Sequence, residues 1–202
     1  MVSQPPCCSN IVELLEWFDL PYQFVMILEH PSPCMDLNQF ARLQNGRLTE
    51  AQTRGIMLQV IRAAHHCCER GVLHRDIKAQ NLLINTNTMQ VKLIDFGCGE
   101  VLKDTPYLQY SGTPAFRPPE WVMFKQYNGI PATVWGLGIL MYNLLYGEYP
   151  FKAEHFIDMG QLKLIPPVSQ DCFDLMMWCL ELNPELRPTF QDLLQHEWFT
   201  DV

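Results

Sequence analysis

The stretch His74-Arg75-Asp76-Ile77-Lys78-Ala79-Gln80-Asn81, followed further on by Asp95-Phe96-Gly97, decides how this chain is read. Between the two lie short apolar runs, Leu82-Leu83-Ile84 and Val91-Lys92-Leu93-Ile94, on either side of the polar residues 85–90. That pattern predicts a β-hairpin. Pairing of the two runs brings the hairpin's ends together, so Asp76, Lys78 and Asn81 before the first strand meet Asp95 after the second. Two carboxylates, an amide and an ammonium converging on one sheet edge suit phosphoryl transfer. One carboxylate orients an attacking hydroxyl, the amide and the second carboxylate hold Mg²⁺ on the phosphates, and the lysine offsets charge on the transferred group. The bland alternative is a solvated polar loop around a structural hairpin. An isolated Asp-Phe-Gly would not exclude it; the eight-residue run, the hairpin and the later motifs together do.

Working outward, helices dominate the rest. Thr49 with Gln52 has the form of a capping box, and Ile56, Met57, Val60, Ile61, Ala64 and Cys67 recur behind it at helical spacing. Residues 133–146 are apolar on every face and predict a helix buried all round. Residues 173–182 predict another helix, and Thr189 with Asp192 caps the last, ending near Trp198-Phe199. Upstream, residues 11–15 and 24–28 read as two strands about a turn at Asp19-Leu20-Pro21. Pro31 and Pro33 then break the pattern, since proline cannot donate to a ladder. The expectation is an α+β chain: a two-strand piece in residues 1–29, a linker in 30–36, and a helical body in 37–202.

Composition excludes several classes. The 202 residues carry 14 basic and 22 acidic side chains, a net charge of −8, which argues against nucleic acid and leaves room for a basic peptide. With 48% hydrophobic and 18% charged residues the chain can bury a core. The eight cysteines include no Cys-x-x-Cys, and the first residues lack a signal-peptide pattern, so free thiols in a reducing compartment are expected. The longest nearly apolar run, residues 134–146, is shorter than the roughly 20 residues of a bilayer crossing. No membrane association is expected. His65-His66-Cys67-Cys68 invites a metal reading, but consecutive helical residues point about 100° apart and cannot close on one ion.

The motifs resemble those of the eukaryotic protein kinases. Pro118-Pro119-Glu120 is similar to the family's Ala-Pro-Glu, Gly112-Thr113 lies just upstream, and Val134-Trp135-Gly136-Leu137-Gly138 resembles the central buried helix. Arg187 matches the arginine that pairs with Glu120. Closer still is the resemblance to the Pim serine/threonine kinases, from about residue 11 onward. It rests on Leu28-Glu29-His30-Pro31-Ser32-Pro33, Leu93-Ile94-Asp95-Phe96-Gly97, Leu102-Lys103-Asp104-Thr105, Pro118-Pro119-Glu120-Trp121, the ending Asp201-Val202, and Thr133 where most kinases have aspartate. The resemblance implies a protein-kinase-like fold, mainly the helical C-terminal lobe with a two-strand remnant of the N-terminal lobe, residues 30–36 being the hinge. It implies ATP and Mg²⁺ as cofactors and transfer to Ser or Thr of proteins with basic residues near the acceptor. Asp76, Lys78, Asn81 and Thr113 would be catalytic, Thr113 bridging to Asp76. Asn81 and Asp95 would hold the metal, Leu83 and Ile94 would floor the adenine pocket, and Glu29 would offer its backbone carbonyl. Asp36 and Gln80 would face the peptide. A monomer in the cytoplasm, or also the nucleus, completes the expectation.

The chain departs from the family at four places. The first glycine is Gly46 and the first lysine Lys78, so neither a Gly-rich phosphate loop nor the third-strand lysine lies within it. The expectation is an incomplete gene model, or else a naturally short form that serves as a catalytically impaired binding module. Ala79 and Gln80 stand where Pim kinases carry acids, which weakens attraction for arginine. Gln109 and Ser111 replace acids in the activation segment, so activity without phosphorylation there does not carry over.

Overall fold

The computed structural model describes residues 7–151, 162 and 167–200; the terminal Asp201-Val202 motif lies outside them. Two strands, β1 (Leu14–Leu20) and β2 (Gln23–Leu28), form an antiparallel hairpin that, among the described residues, pairs with no other strand. A short β3 (Cys34–Asp36) leads into α1 (Leu37–Leu43), α2 (Glu50–Glu69) and β4 (Val72–Leu73). The expected hairpin follows as β5 (Leu82–Asn85) and β6 (Val91–Leu93), then β7 (Glu100–Val101). The chain ends in α3 (Pro119–Phe124), α4 (Gly129–Tyr146), α5 (Gln170–Cys179) and α6 (Phe190–Gln195). The sheet order is β3-β5-β6, with β4 and β7 paired separately.

Helix ends follow the capping chemistry. Thr49 and Gln52 form a complete capping box at α2, and Thr189 and Asp192 another at α6. Helix boundaries differ from the sequence expectation at four places, among them the end of α5, which comes at Cys179 rather than 182. Helix α4 starts at Gly129 rather than 133, because Pro131 sits in the first turn, where a missing N–H costs nothing. Helix α5 starts three residues earlier than expected because the Ser169 side chain accepts from the Cys172 amide. Helix α6 stops at Gln195, and Trp198-Phe199 lie in a separate 3₁₀ turn, where the Trp198 amide donates to the His196 ring at 3.2 Å.

The main core cluster is built on α4, with Val134, Trp135, Leu137, Leu140 and Met141 buried, packed against α2 and α5, and a smaller cluster gathers Leu73, Tyr107 and Tyr127. Helix α4 is long and apolar enough by length and composition to cross a membrane, but here it is the inner helix of this core. A glutamine clamps the sheet to α2. Gln59 accepts from the Val91 amide (2.8 Å) and Asn10 (3.0 Å), and donates to the carbonyls of Gly55 and Met89 (3.0 Å each). The N-terminal segment uses the same sheet. Ile11 bridges Leu93 in parallel, Val12 donates to the Leu93 carbonyl (3.0 Å), and Leu93 to that of Asn10 (2.8 Å). The first strand therefore begins at Leu14, not at residue 11, because Ile11 and Val12 are buried against the helical body.

Arg187 and Glu120 form a buried bidentate pair at 2.9 and 2.7 Å, which ties α3 to the segment after α5. Removing one partner leaves a buried charge unpaired, which costs about 3–5 kcal/mol. Glu120→Gln and Arg187→Leu should each lower the unfolding free energy measured in urea by that amount, and the double variant should lose less than their sum; additive losses would show the pair is not coupled. The hairpin stands at the other extreme. Leu15, Trp17, Phe24, Met26 and Leu28 are all exposed, and two strands alone make a marginal sheet. Amides of residues 14–28 should exchange with solvent at least about a hundredfold faster than those of residues 134–145, measured by mass spectrometry or NMR; equal protection would contradict this.

Candidate functional site

The loop from His74 to Asn81 enters the site through an unusual backbone. Arg75 has φ +68°, a left-handed conformation that costs about 1–2 kcal/mol for a non-glycine residue. Its contacts hold it there: Nε donates to the Cys98 carbonyl at 2.6 Å, Glu100 lies 3.8 Å away, and the guanidinium sits over the Tyr107 ring at 6.0 Å. Gly112 passes directly beside Arg75. Its φ is +117°, and any Cβ there would collide with the Arg75 carbonyl, which is why the residue before Thr113 is glycine.

That approach delivers Thr113 to Asp76. The Thr113 amide and hydroxyl both donate to Asp76 Oδ1, at 2.9 and 2.7 Å. Lys78 Nζ donates to Thr113 Oγ1 at 2.8 Å and lies 2.7 Å from Asp76 Oδ2, which also accepts from Asn81 Nδ2 at 3.1 Å. Both carboxylate oxygens therefore carry two bonds each, about the full acceptor capacity of the group. Burial alone would push the Asp76 carboxyl up, but the bonds from Lys78 and Thr113 outweigh it and hold it below its ordinary value. Asp76 is an anion at physiological pH.

The hairpin joins Asn81 and Asp95 as the sequence implies. Ile94 donates to the Asn81 carbonyl at 2.9 Å, so Asp95 is one residue beyond the rung that Asn81 begins. Asn81 is buried and spends its amide hydrogens on Asp76, which leaves its amide oxygen available to a cation. Asp95 is exposed, in a left-handed turn (φ +61°), with Oδ1 accepting from the Gly97 amide at 3.0 Å. Oxygen donors in this number fit Mg²⁺, which keeps the rest of its shell for phosphate and water. Among the described residues no three His, Cys, Asp or Glu side chains gather into a protein-only metal cage.

The remaining candidates fall into two groups. Strand alternation buries Leu82 and Ile84 and leaves Leu83 half-buried on the opposite face. Ile94 is half-buried too, and both are available to a flat apolar ligand. Glu29 binds Lys92 Nζ (2.7 Å) and the Glu13 amide (2.8 Å) through its carboxylate, so its side chain braces the hinge. Asp36 spends one oxygen on capping α1, accepting from the Gln39 amide at 2.9 Å, and pairs across the sheet with Leu83. Gln80 is exposed. The structure does not bring these two into the Asp76 network. His65 stacks on Phe190 (5.2 Å) while Cys67 is buried in the core, its thiol pushed up to about 12 by burial.

Sequence reasoning missed the aromatic anchor of the activation segment. Tyr107 and Tyr127 exchange backbone hydrogen bonds (2.8 and 3.2 Å) and stack at 5.3 Å, with Tyr110 and Trp121 packed beside them. The Tyr107 hydroxyl donates to the Val101 carbonyl (2.7 Å) and accepts from the Lys103 amide (3.0 Å). Aromatic recurrence at 107, 110, 121 and 127 was the available signal.

His74 is 2% exposed, hydrogen-bonded to the Ile94 carbonyl at 2.9 Å and in edge contact with Phe96. Burial lowers its pKa, outweighing the bond to Ile94 and the nearby carboxylates. Its unfolded value is about 6.5, so the unfolded chain binds more protons just below that pH and stability falls as pH drops through 6.5. Thermal unfolding followed from pH 8 to about pH 5.5 should show this loss, and His74→Phe should flatten it. An unchanged slope in the variant would assign the loss to other groups.

A general description of the protein kinase domain matches residues 2–199. The serine/threonine-protein kinase pim-2 of Danio rerio is 38% identical over 197 residues, covering 97% of this chain and 63% of the relative. The kinase prk-2 of Caenorhabditis elegans is 38% identical over 198 residues, and NUAK family SNF1-like kinase 1 of Mus musculus 33% over 196, covering 45% and 29% of those proteins. The chain thus spans under two thirds of the length of these relatives. With the match running through residues 2–199, nearly the whole sequence, the chain belongs to the protein kinase family.

Proposed function

We propose that the chain forms the substrate-positioning and metal-holding part of a Pim-like serine/threonine protein kinase, transferring the γ-phosphate of ATP to proteins with basic residues near the acceptor. The observation that carries this reading is the Asp76–Thr113–Lys78 network. Asp76, charged and fixed on both oxygens, orients a Ser or Thr hydroxyl and takes its proton late, since an anion of depressed pKa is a weak base. Thr113 holds the segment that receives the acceptor. Lys78 exchanges its bond to Thr113 for the transferred group, whose charge it offsets. Asn81 and Asp95 would hold Mg²⁺, which when bound neutralises the phosphates. Leu83 and Ile94 would floor the adenine site, with the Glu29 backbone carbonyl at its rim.

Peptide preference rests on charge. Asp36 keeps one oxygen beyond its cap, and the net charge is −8, whereas Ala79 and Gln80 contribute none. Arginine-rich substrates are favoured, less steeply than by a chain with acids at 79 and 80. We place the protein in the cytoplasm or nucleus on its cysteine usage. Within the 202 residues no lysine precedes Lys78 to grip the α- and β-phosphates of a nucleotide.

The 202-residue chain should transfer phosphate to a basic peptide at least about a thousandfold more slowly than the zebrafish relative, because the electrostatic stabilisation from that lysine is missing. A radiometric assay with Asp76→Asn as control measures this; turnover at the relative's rate, abolished by the control, would refute it. Peptide affinity, read by fluorescence anisotropy, should fall severalfold in Asp36→Asn. An unchanged affinity would remove Asp36 from the peptide site.

A further inference from the structure

The buried Arg187–Glu120 pair joins the two walls of a groove on the helical body. One wall is α3, with Pro119, Val122 and Met123; the other is the turn after α5, with Leu182, Asn183 and Pro184. The groove holds about 410 Å³, within the roughly 300–1,000 Å³ of pockets that take ligand groups. Its lining is apolar apart from Asn183 and Glu120, and the Glu120 charge is neutralised by Arg187. The walls are fixed before anything binds: the ion pair ties them together, and Trp178 Nε1 donates to the Leu186 carbonyl at 3.0 Å, holding the turn to α5. Large apolar side chains stay open at the mouth, where Met123 is 54% exposed, Phe124 64% and Leu182 43%. A preorganised groove of this kind gives up little conformational freedom to a ligand.

Charge selects the occupant. Glu181 and Glu185 bracket the turn wall, and among the described residues neither forms an ion pair. Lys125, at the end of α3, is spent elsewhere: its Nζ lies 5.9 Å from the Trp121 ring, which packs on Tyr110 and Tyr127 of the activation segment. We infer that the groove is a docking site for a basic protein segment, an apolar anchor side chain entering it while flanking arginine or lysine residues meet Glu181 and Glu185. A second copy of the chain is disfavoured, since each would bring the same acids and a net charge of −8. The same charges repel a fatty acid or an anionic lipid surface. No residue of the groove belongs to the Asp76 network, so docking needs neither nucleotide nor turnover and does not rest on the proposed reaction. The contact is small beside the ~800 Å² per partner of stable complexes, so affinity falls on the order of 10–100 µM, with the anchor as its hot spot.

Fluorescence anisotropy on the 202-residue chain tests this with a short labelled peptide, a Leu-Phe pair flanked on both sides by arginines and lacking Ser, Thr and Tyr. The peptide should bind in the range above, and its counterpart with glutamate for arginine should not. Met123 and Glu185 are exposed, so substitution there leaves the fold intact. Met123→Ser should weaken binding at least about tenfold by removing apolar wall. Glu185→Lys should weaken it about three- to tenfold, less as salt rises, whereas Asp19→Lys on the hairpin should change nothing. Hydrogen exchange with the peptide bound should slow in residues 120–124 and 182–186 and not in residues 76–83. No binding at about 1 mM peptide, equal binding of the acidic counterpart, indifference to Met123→Ser, or slowing confined to residues 76–83 would each overturn the inference. So would a dimer of the chain alone that Met123→Ser abolishes, since the groove would then belong to a second copy.

Discussion

A guanidinium and a carboxylate removed from water hold this fold's moving parts to its fixed ones. Arg187 directs its donors not only to Glu120 but also to the carbonyls of Glu181 (2.8 Å) and Pro131 (2.9 Å), with its plane 5.1 Å from the Trp135 ring. One side chain thereby reaches α3, the first turn of α4, the end of α5 and the core tryptophan. Taking these charges out of water is costly, and their attraction repays the cost only with such complete bonding. The pair fixes where α3 lies, hence where the segment carrying Thr113 must end, hence whether Thr113 can meet Asp76.

The same logic of full occupancy runs through the site. Asp76 is saturated by Thr113, Lys78 and Asn81, and Arg75 by Cys98, Glu100 and the Tyr107 ring. A kinase arginine at this position commonly waits for a phosphate on the activation segment. Here its strained backbone is matched by partners already within the chain, and the Tyr107–Tyr127 bridge anchors the segment from the other side. The catalytic loop and activation segment are docked together by charge-assisted hydrogen bonds from within the chain, ring stacking and one close glycine.

Local chemistry was legible in the sequence, and long-range chemistry was not. The two capping boxes, the β5–β6 hairpin and the buried α4 each depend on residues a few positions apart, and each was found near its expected place. The Asp76–Asn81–Asp95 convergence was legible because the hairpin reduces a distant pairing to a local one. Ile11 beside Leu93 and the four bonds of Gln59 were not, since a single apolar residue or amide carries no period to betray its partner. Residues 11–12 looked like the start of a strand because β-branched residues suit either a hairpin or a bridge to a distant sheet. The shifted start of α5 turned on one serine, a residue type that marks loops as readily as caps.

The hairpin's attachment has a mechanical consequence. Its first strand leaves the body immediately after Asn10 and Val12 are bonded to β6, and its second returns at Glu29, whose amide donates to the Glu13 carbonyl at 3.0 Å and whose carboxylate grips Lys92. Both feet stand on neighbouring residues of one strand, Lys92 and Leu93. The hairpin is therefore a lever with a single narrow base: it can tilt as a unit, but bending between its feet is resisted by the rung that joins them. A cut in its exposed turn would leave both pieces gripped by the body, so a nicked chain would keep its shape while losing the lever's stiffness.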